Sequence, residues 1–267
     1  MPGLDKTDLP LKNLNTDDPP ILLVDQVSRR FGKVEVVSQV SFSVQTGSIF
    51  GFVGSDGAGK TTLLRMIAAM IRPSTGRIQI GGLDVVQDRV RVKELIGYMP
   101  QRFGLYTDLT VAENMDFFMD IFGIFGTERI KRKDQYLGFS NLTPFQDRLA
   151  RDLSGGMKQK LGLACVLVHQ PRVLILDEPT NGVDPVSRKE FWEILSAMRK
   201  EGMTILVSTS YLDEGEKCDQ IILMHNAHVL DQATPAAFRA DFSTLEQAMI
   251  HRIEAADKIL SGEHFDI

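Results

Sequence analysis

Residues 54–62 read Gly-Ser-Asp-Gly-Ala-Gly-Lys-Thr-Thr, a spacing that lets the backbone itself hold phosphate. Glycines allow successive N–H groups to turn inward and cage the β- and γ-phosphates of a nucleotide, and a helix opening near Lys60 adds the positive end of its dipole. Lys60 is placed to neutralise phosphate charge and the Thr61 hydroxyl to ligate Mg²⁺. A glycine-rich turn can match such a pattern by chance, so its flanks matter. Ile49, Phe50, Phe52 and Val53 form an apolar run before the loop, and Leu63, Leu64, Met66, Ile67, Met70 and Ile71 recur at helical spacing after it. Strand, loop and helix together predict a nucleoside triphosphate site formed by Gly54, Ser55, Asp56, Gly57, Ala58, Gly59, Lys60, Thr61 and Thr62.

A second constellation is Val173-Leu174-Ile175-Leu176-Asp177-Glu178. An unbroken aliphatic run suits a parallel strand buried on both faces, whose carboxyl end opens toward the ligand crevice. Asp177 is then placed to hold Mg²⁺ and Glu178 to polarise the attacking water. Two acids before Pro179 could also merely start a solvated turn; a phosphate loop in the same chain favours the catalytic assignment. A third is Leu153-Ser154-Gly155-Gly156-Met157-Lys158-Gln159, which precedes a helix. Ser154, Gly155 and Gly156 at a helix N-terminus make a second phosphate-binding device, although alone they would be an ordinary N-cap. One triphosphate does not need two such devices, so a composite site between two subunits is expected.

The elements that must position these residues alternate between strand and helix. Ile21–Val27, Val34–Val44 and Ser48–Val53 are strand-like, with a turn holding Phe31 between the first two. Phe31 is suited either to stacking on an adenine ring or to covering a core edge. After the phosphate loop come short strands at Arg77–Ile80 and Ile96–Met99. From Thr110, which forms a capping box with Glu113, to about Val168 the spacing is helical. The strand Val173–Leu176, a helix at Pro185–Arg199 and strands at Thr204–Ser208 and Gln220–Met224 resume the α/β frame, and Pro235–Ser261 reads as helix. Residues 1–20 are expected to be a flexible leader, 21–234 the nucleotide-binding domain with a helical subdomain inserted at about 102–168, and 235–267 a helical tail.

Composition narrows the class. The 267 residues are 43% hydrophobic and 24% charged, ordinary for a globular domain with a substantial core. A net charge of −5 offers no global attraction to nucleic acid, and no nucleic-acid partner is expected. Cys165 and Cys218 lack metal-ligand spacing and read as buried, reduced thiols. The five histidines show no convergent spacing with carboxylates. No run of 18 or more apolar residues occurs, which predicts a cytoplasmic protein without a membrane span.

Taken together, the motifs resemble the ATP-binding cassette of ABC transporters over about Ile21–Gln232. The resemblance maps Walker A onto Gly54–Thr62, the Q-loop glutamine onto Gln101, the signature onto Leu153–Gln159 and Walker B onto Val173–Asp177. It makes Glu178 the catalytic glutamate, Pro179–Asp184 the D-loop and Phe31 the adenine-stacking aromatic. It implies an α/β P-loop NTPase fold with a RecA-like core, an N-terminal antiparallel β subdomain and an inserted α-helical subdomain. It also implies ATP and Mg²⁺ as cofactors, with Thr61, Gln101 and Asp177 at the metal, and a second cassette and transmembrane permease subunits as partners at the inner face of the membrane. Gly-Tyr-Met-Pro-Gln and Leu-Ser-Gly-Gly-Met-Lys-Gln are similar to the drug-exporter branch, closest to the first cassette of tandem proteins. One position departs. Where the family's switch histidine follows the strand as Ser-Thr-His, this chain reads Ser208-Thr209-Ser210. A serine hydroxyl falls short of the imidazole's reach, so ATP binding is expected to survive and hydrolysis at this site to be weak. Alternatives are a cassette working without a membrane, of the cluster-assembly type, and a regulatory cassette that clamps ATP without turnover.

Overall fold

The computed structural model describes residues 19–240 and 242–261. The leader expected at 1–20 lies outside these except for Pro19 and Pro20. In chain order the elements are β1 (Leu22–Phe31), β2 (Val34–Val44), β3 (Ile49–Val53), α1 (Lys60–Ile67), β4 (Thr75–Ile80) and β5 (Leu83–Asp84). Then follow α2 (Arg89–Leu95), β6 (Ile96–Met99), α3 (Val111–Ile121), α4 (Gly126–Phe139) and α5 (Gly155–Leu167). The chain continues through β7 (Val173–Asp177), α6 (Pro185–Lys200), β8 (Thr204–Thr209), β9 (Gln220–His225), β10 (His228–Ala233), α7 (Pro235–Arg239) and α8 (Leu245–Ser261).

The central sheet runs β10-β9-β3-β8-β7-β6, parallel throughout except at the β10 edge. Its strands β3, β7 and β8 are buried at every position. That is why Val173–Leu176 is uniformly aliphatic: successive side chains point to opposite faces, and both faces are covered. Val173 and Ile175 join the core beneath α1, while Leu174 and Leu176 pack with Phe191, Trp192 and Leu195 of α6. The antiparallel sheet β2-β1-β4-β5 caps the first face. Phe42 of β2 stacks on Phe50 of β3 with centroids 5.2 Å apart, which joins the two sheets through aromatic burial.

The inserted helices have a separate core of Val111, Met115, Met119, Leu137, Leu161 and Cys165, bridged to the main one by Phe103 and Tyr136. The Thr110–Glu113 capping box forms with both of its hydrogen bonds. Burial pushes both cysteine thiols well above their ordinary range, consistent with inert, reduced side chains.

The structure corrects several expectations. Phe31 is not in a turn; it closes β1 and pairs with Val34 across a tight hairpin around Gly32. The helical tail divides into α7 and α8. β5, α2 and β10 escape sequence patterning because each is short or only partly buried, which leaves little periodicity to read. His225 does meet a carboxylate, Asp257, at 2.6 Å, across 32 residues. It ties the end of β9 to α8.

Candidate functional site

β3 delivers the chain to the phosphate loop at the carboxyl edge of the sheet, where α1 begins at Lys60. Two glycines of the loop are there because nothing larger fits. At Gly54 (φ +157°) an added Cβ would lie 2.1 Å from the Met224 carbonyl, and at Gly59 (φ +103°) 2.3 Å from that of Val36. The loop is thus wedged between the β9 end and β2. Lys60 is 4% exposed and its Nζ donates to the carbonyls of Gly54 (2.7 Å) and Ser55 (3.0 Å). The same Nζ lies 3.4 Å from Glu178 Oε1.

Asp177 ends β7 fully buried and collects hydroxyl donors. Thr61 (2.9 Å) and Ser208 (2.8 Å) donate to Oδ1, and Tyr98 (3.3 Å) donates to Oδ2. Parallel pairing of Asp177 with Ser208 sets the second contact, and β6 beside β7 brings Tyr98. Burial, followed by the adjacent Asp177 charge, pushes the Tyr98 phenol up to about 12. Tyr98 therefore stays a donor; its share of stability is complete below its ordinary value of 10 and fades only as pH climbs toward 12. Tyr98→Phe is expected to weaken the cation dependence of nucleotide binding by roughly 10-fold, in the way that losing a ligand's supporting hydrogen bond does. Titrating divalent cation against nucleotide affinity measures it, and an unchanged midpoint would contradict it.

Glu178 adopts φ +50°, a left-handed conformation costly for a non-glycine residue. Its N–H donates to both Ser208 Oγ (3.0 Å) and Ser208 O (3.2 Å), which holds the turn. Its Oε2 accepts from Gln101 Nε2 (2.9 Å) and Asn181 Nδ2 (3.1 Å). Lys60, Thr61, Gln101, Asp177 and Glu178, assigned separately from sequence, are thus one connected cluster. Tyr98, Asn181 and Ser208 were not singled out; each acts by a hydrogen bond that only strand register or a turn creates. Ser210, half-buried, directly follows β8.

The signature residues are elsewhere. Ser154 caps α5, its hydroxyl oxygen accepting from the Met157 N–H at 3.3 Å. α5 packs on α3, α4, α6 and β6, which places Ser154, Gly155 and Gly156 on the helical subdomain. An added Cβ at Gly156 would meet Ser187 Cβ and Oγ at 2.4 Å, so α5 and α6 touch there through glycine. Gly156→Ala is expected to destabilise the fold by about 1–3 kcal/mol through overpacking, read from the urea midpoint. Phe31, 48% exposed, carries the Arg29 guanidinium 4.4 Å over its ring.

The oxygen set of Thr61 and Asp177 suits a hard divalent cation. Among the described residues no three His, Cys, Asp or Glu side chains converge to cage a metal, so a cation here would also need nucleotide oxygens and water. No helix of the described residues is long and apolar enough to cross a membrane.

A glycine-rich loop at the end of a buried parallel strand, with a lysine inside it and two acids at the end of β7, on the far side of β8, defines a P-loop nucleotide-binding protein. Comparison with known proteins then gives the family. The ABC transporter family profile matches residues 37–181. "Probable multidrug ABC transporter ATP-binding protein YbhF" of Escherichia coli (strain K12) is 45% identical over 219 residues, 81% of this chain but only 38% of that protein. "Nod factor export ATP-binding protein I" of Ralstonia nicotianae is 39% identical over 217 residues, covering 81% of this chain and 68% of that one. Among solved structures, cbiO1 from Clostridium perfringens, part of the ABC transporter complex cbiONQ, superposes with a TM-score of 0.78 at 26% identity, covering 91% of this chain and 100% of that one. The chain belongs to the ABC transporter family as one of its ATP-binding cassettes.

Proposed function

We propose that this chain is the ATP-binding subunit, or one half, of an ABC exporter, and that it works as one of two cassettes closing around ATP. The observation that carries the proposal is the meeting of Lys60, Thr61, Gln101, Asp177 and Glu178 beside a loop whose glycines admit no side chain. Lys60 neutralises the phosphates. Thr61 and Asp177, with Gln101, would hold Mg²⁺, which would supply charge neutralisation to the phosphates. Glu178 Oε1 takes the proton of the attacking water, while Gln101 and Asn181 fix the other oxygen. Ser154, Gly155 and Gly156 serve the ATP held by a partner cassette, identical or different, because they sit on another subdomain from Lys60.

Force is then passed to separate transmembrane permease chains, with the cassette on the cytoplasmic side at the inner face of the membrane. The surface around Gln101–Tyr106 is the docking face in this reading. Export is favoured by a relative named for it, a Nod factor export ATP-binding protein, beside relatives named as a probable multidrug ABC transporter protein and a linearmycin resistance protein. The test is to pull the tagged chain from membranes with ATP and Mg²⁺ present. Recovery with a multi-span protein is expected; nucleotide binding with no membrane partner would favour a cassette acting without a membrane.

Ser210 favours a second reading, a cassette that clamps ATP and leaves turnover to its partner. Both readings share the adenine contact at Phe31, whose ring offers the base the face opposite Arg29. Phe31→Ala is expected to weaken ATP binding by about 1–3 kcal/mol while sparing the triphosphate contacts, so tripolyphosphate binding should not change. Equal loss for both ligands would move the base elsewhere.

A further inference from the structure

We propose that Glu214 is a positioning residue for the hydrolytic site, tying the loop after Glu178 to the end of β8 and so setting where Asn181 and residue 210 stand. The proposal rests on the assignment of hydrolysis to Glu178 given above. Glu214 lies in the short 3₁₀ turn Leu212–Lys217 and is completely buried. A fully buried acid is rare without partners, and this one has three. Thr180 Oγ1 donates to Oε1 at 2.8 Å, Thr209 Oγ1 donates to Oε2 at 2.6 Å, and Arg188 Nε stands 4.0 Å from Oε1.

The two threonines belong to the two segments that flank Glu178. Thr180 directly precedes Asn181, whose amide donates to Glu178 Oε2. Thr209 directly precedes Ser210, and its Oγ1 also accepts from the Tyr211 N–H at 3.0 Å, so the backbone is pinned on both sides of residue 210. One carboxyl group therefore sets the spacing between these segments: one oxygen on each. Arg188, which also lies 4.7 Å over the Tyr211 ring, closes the arrangement from α6.

A purely structural role for Glu214 would be to hold the turn in place. Other contacts already do so. The Lys217 ammonium lies 5.2 Å over the Trp192 ring, and Gly215 packs against Leu245 and Met249. A leucine of similar volume would fill the space without the desolvation that a carboxyl must offset with hydrogen bonds. What the carboxyl adds is fixed geometry between two catalytic segments. Misplacing a reacting group by even about 1 Å costs on the order of 10²-fold in rate.

The experiment compares four versions of the full chain: the parent, Ser210→His, Glu214→Gln and the double variant. An amide accepts from one hydroxyl but turns its NH₂ on the other, so the donor pattern breaks while shape is kept. ATP affinity and the emission of Trp192, the sole tryptophan, report whether the fold and the docked turn survive. Support is a Glu214→Gln chain with parent-like emission and ATP affinity in which Ser210→His loses about tenfold or more of the turnover gain it gives the parent. An equal gain in both backgrounds overturns the proposal, as does loss of ATP affinity and a shifted emission alongside lost turnover. If Ser210→His gives the parent no gain, the assignment of weak turnover to Ser210 fails, and Glu214 is judged alone: a kcat about tenfold lower at unchanged KM supports it, and an unchanged kcat overturns it. Should Glu214→Gln fail to fold, Thr180→Val, which removes one donor and keeps the carboxyl, takes its place in each comparison.

Discussion

Replacing Ser210 with histidine is expected to raise ATP turnover by about 10²–10³-fold while leaving ATP affinity nearly unchanged. That is the typical worth of one positioned donor at a site where charge develops. The position is favourable: Ser210 follows the β8 strand, whose Ser208 already braces both Asp177 and the Glu178 backbone. An imidazole at residue 210 has a longer reach than a hydroxyl one carbon from the backbone. The rest of the hydrolytic set is intact, with Glu178 held by Gln101, Asn181 and Lys60. Steady-state turnover and equilibrium nucleotide binding, measured on both chains, decide it. A parent chain that already turns over at the rate of the histidine variant would make serine a sufficient residue here and the cassette a self-reliant motor.

The parts of this site that were legible in the sequence are those encoded by composition at a fixed spacing. Gly54 and Gly59 are written as glycine because backbone carbonyls of Met224 and Val36 stand where a Cβ would go. Val173–Leu176 is aliphatic because the strand is covered twice. Val34–Val44 and Ile96–Met99 have the bounds that their patterning predicts. Residues whose task depends on register escaped. Ser208 matters because it pairs with Asp177 across β7 and β8, and a serine in a strand announces nothing of the kind. Tyr98 reads as one more strand aromatic until β6 is laid beside β7. Glu214 sits in a polar stretch that looks solvated, yet the chain folds Thr180 and Thr209 over it. Phe31 lies within a strand and not in the turn that its polar surroundings predict, since the hairpin around Gly32 is tight. Local chemistry is readable one segment at a time; hydrogen bonds between segments are not.

Lys60→Met should have two separable consequences, and their separation tests how the site is balanced. The first is on ligand: loss of the ammonium removes charge-assisted hydrogen bonds to phosphate worth about 1.5–3 kcal/mol each, so ATP affinity should fall by roughly 100-fold. The second is on the fold. Lys60 and Glu178 form an ion pair whose side chains are 4% and 9% exposed. Removing one partner of such a pair typically costs about 3–5 kcal/mol, because the other charge stays buried without its counter-ion, whereas neutralising both is often close to neutral. Glu178 keeps donors from Gln101 and Asn181, which places the expected loss at the lower end, about 3 kcal/mol. Adding Glu178→Gln to Lys60→Met should therefore restore most of the unfolding free energy while restoring none of the ATP affinity. Denaturant unfolding without nucleotide and binding titrations on the single and double variants supply both numbers. Additive destabilisation in the double variant would mean that Glu178 does not depend on Lys60 for its burial. The lysine would then serve the phosphates alone.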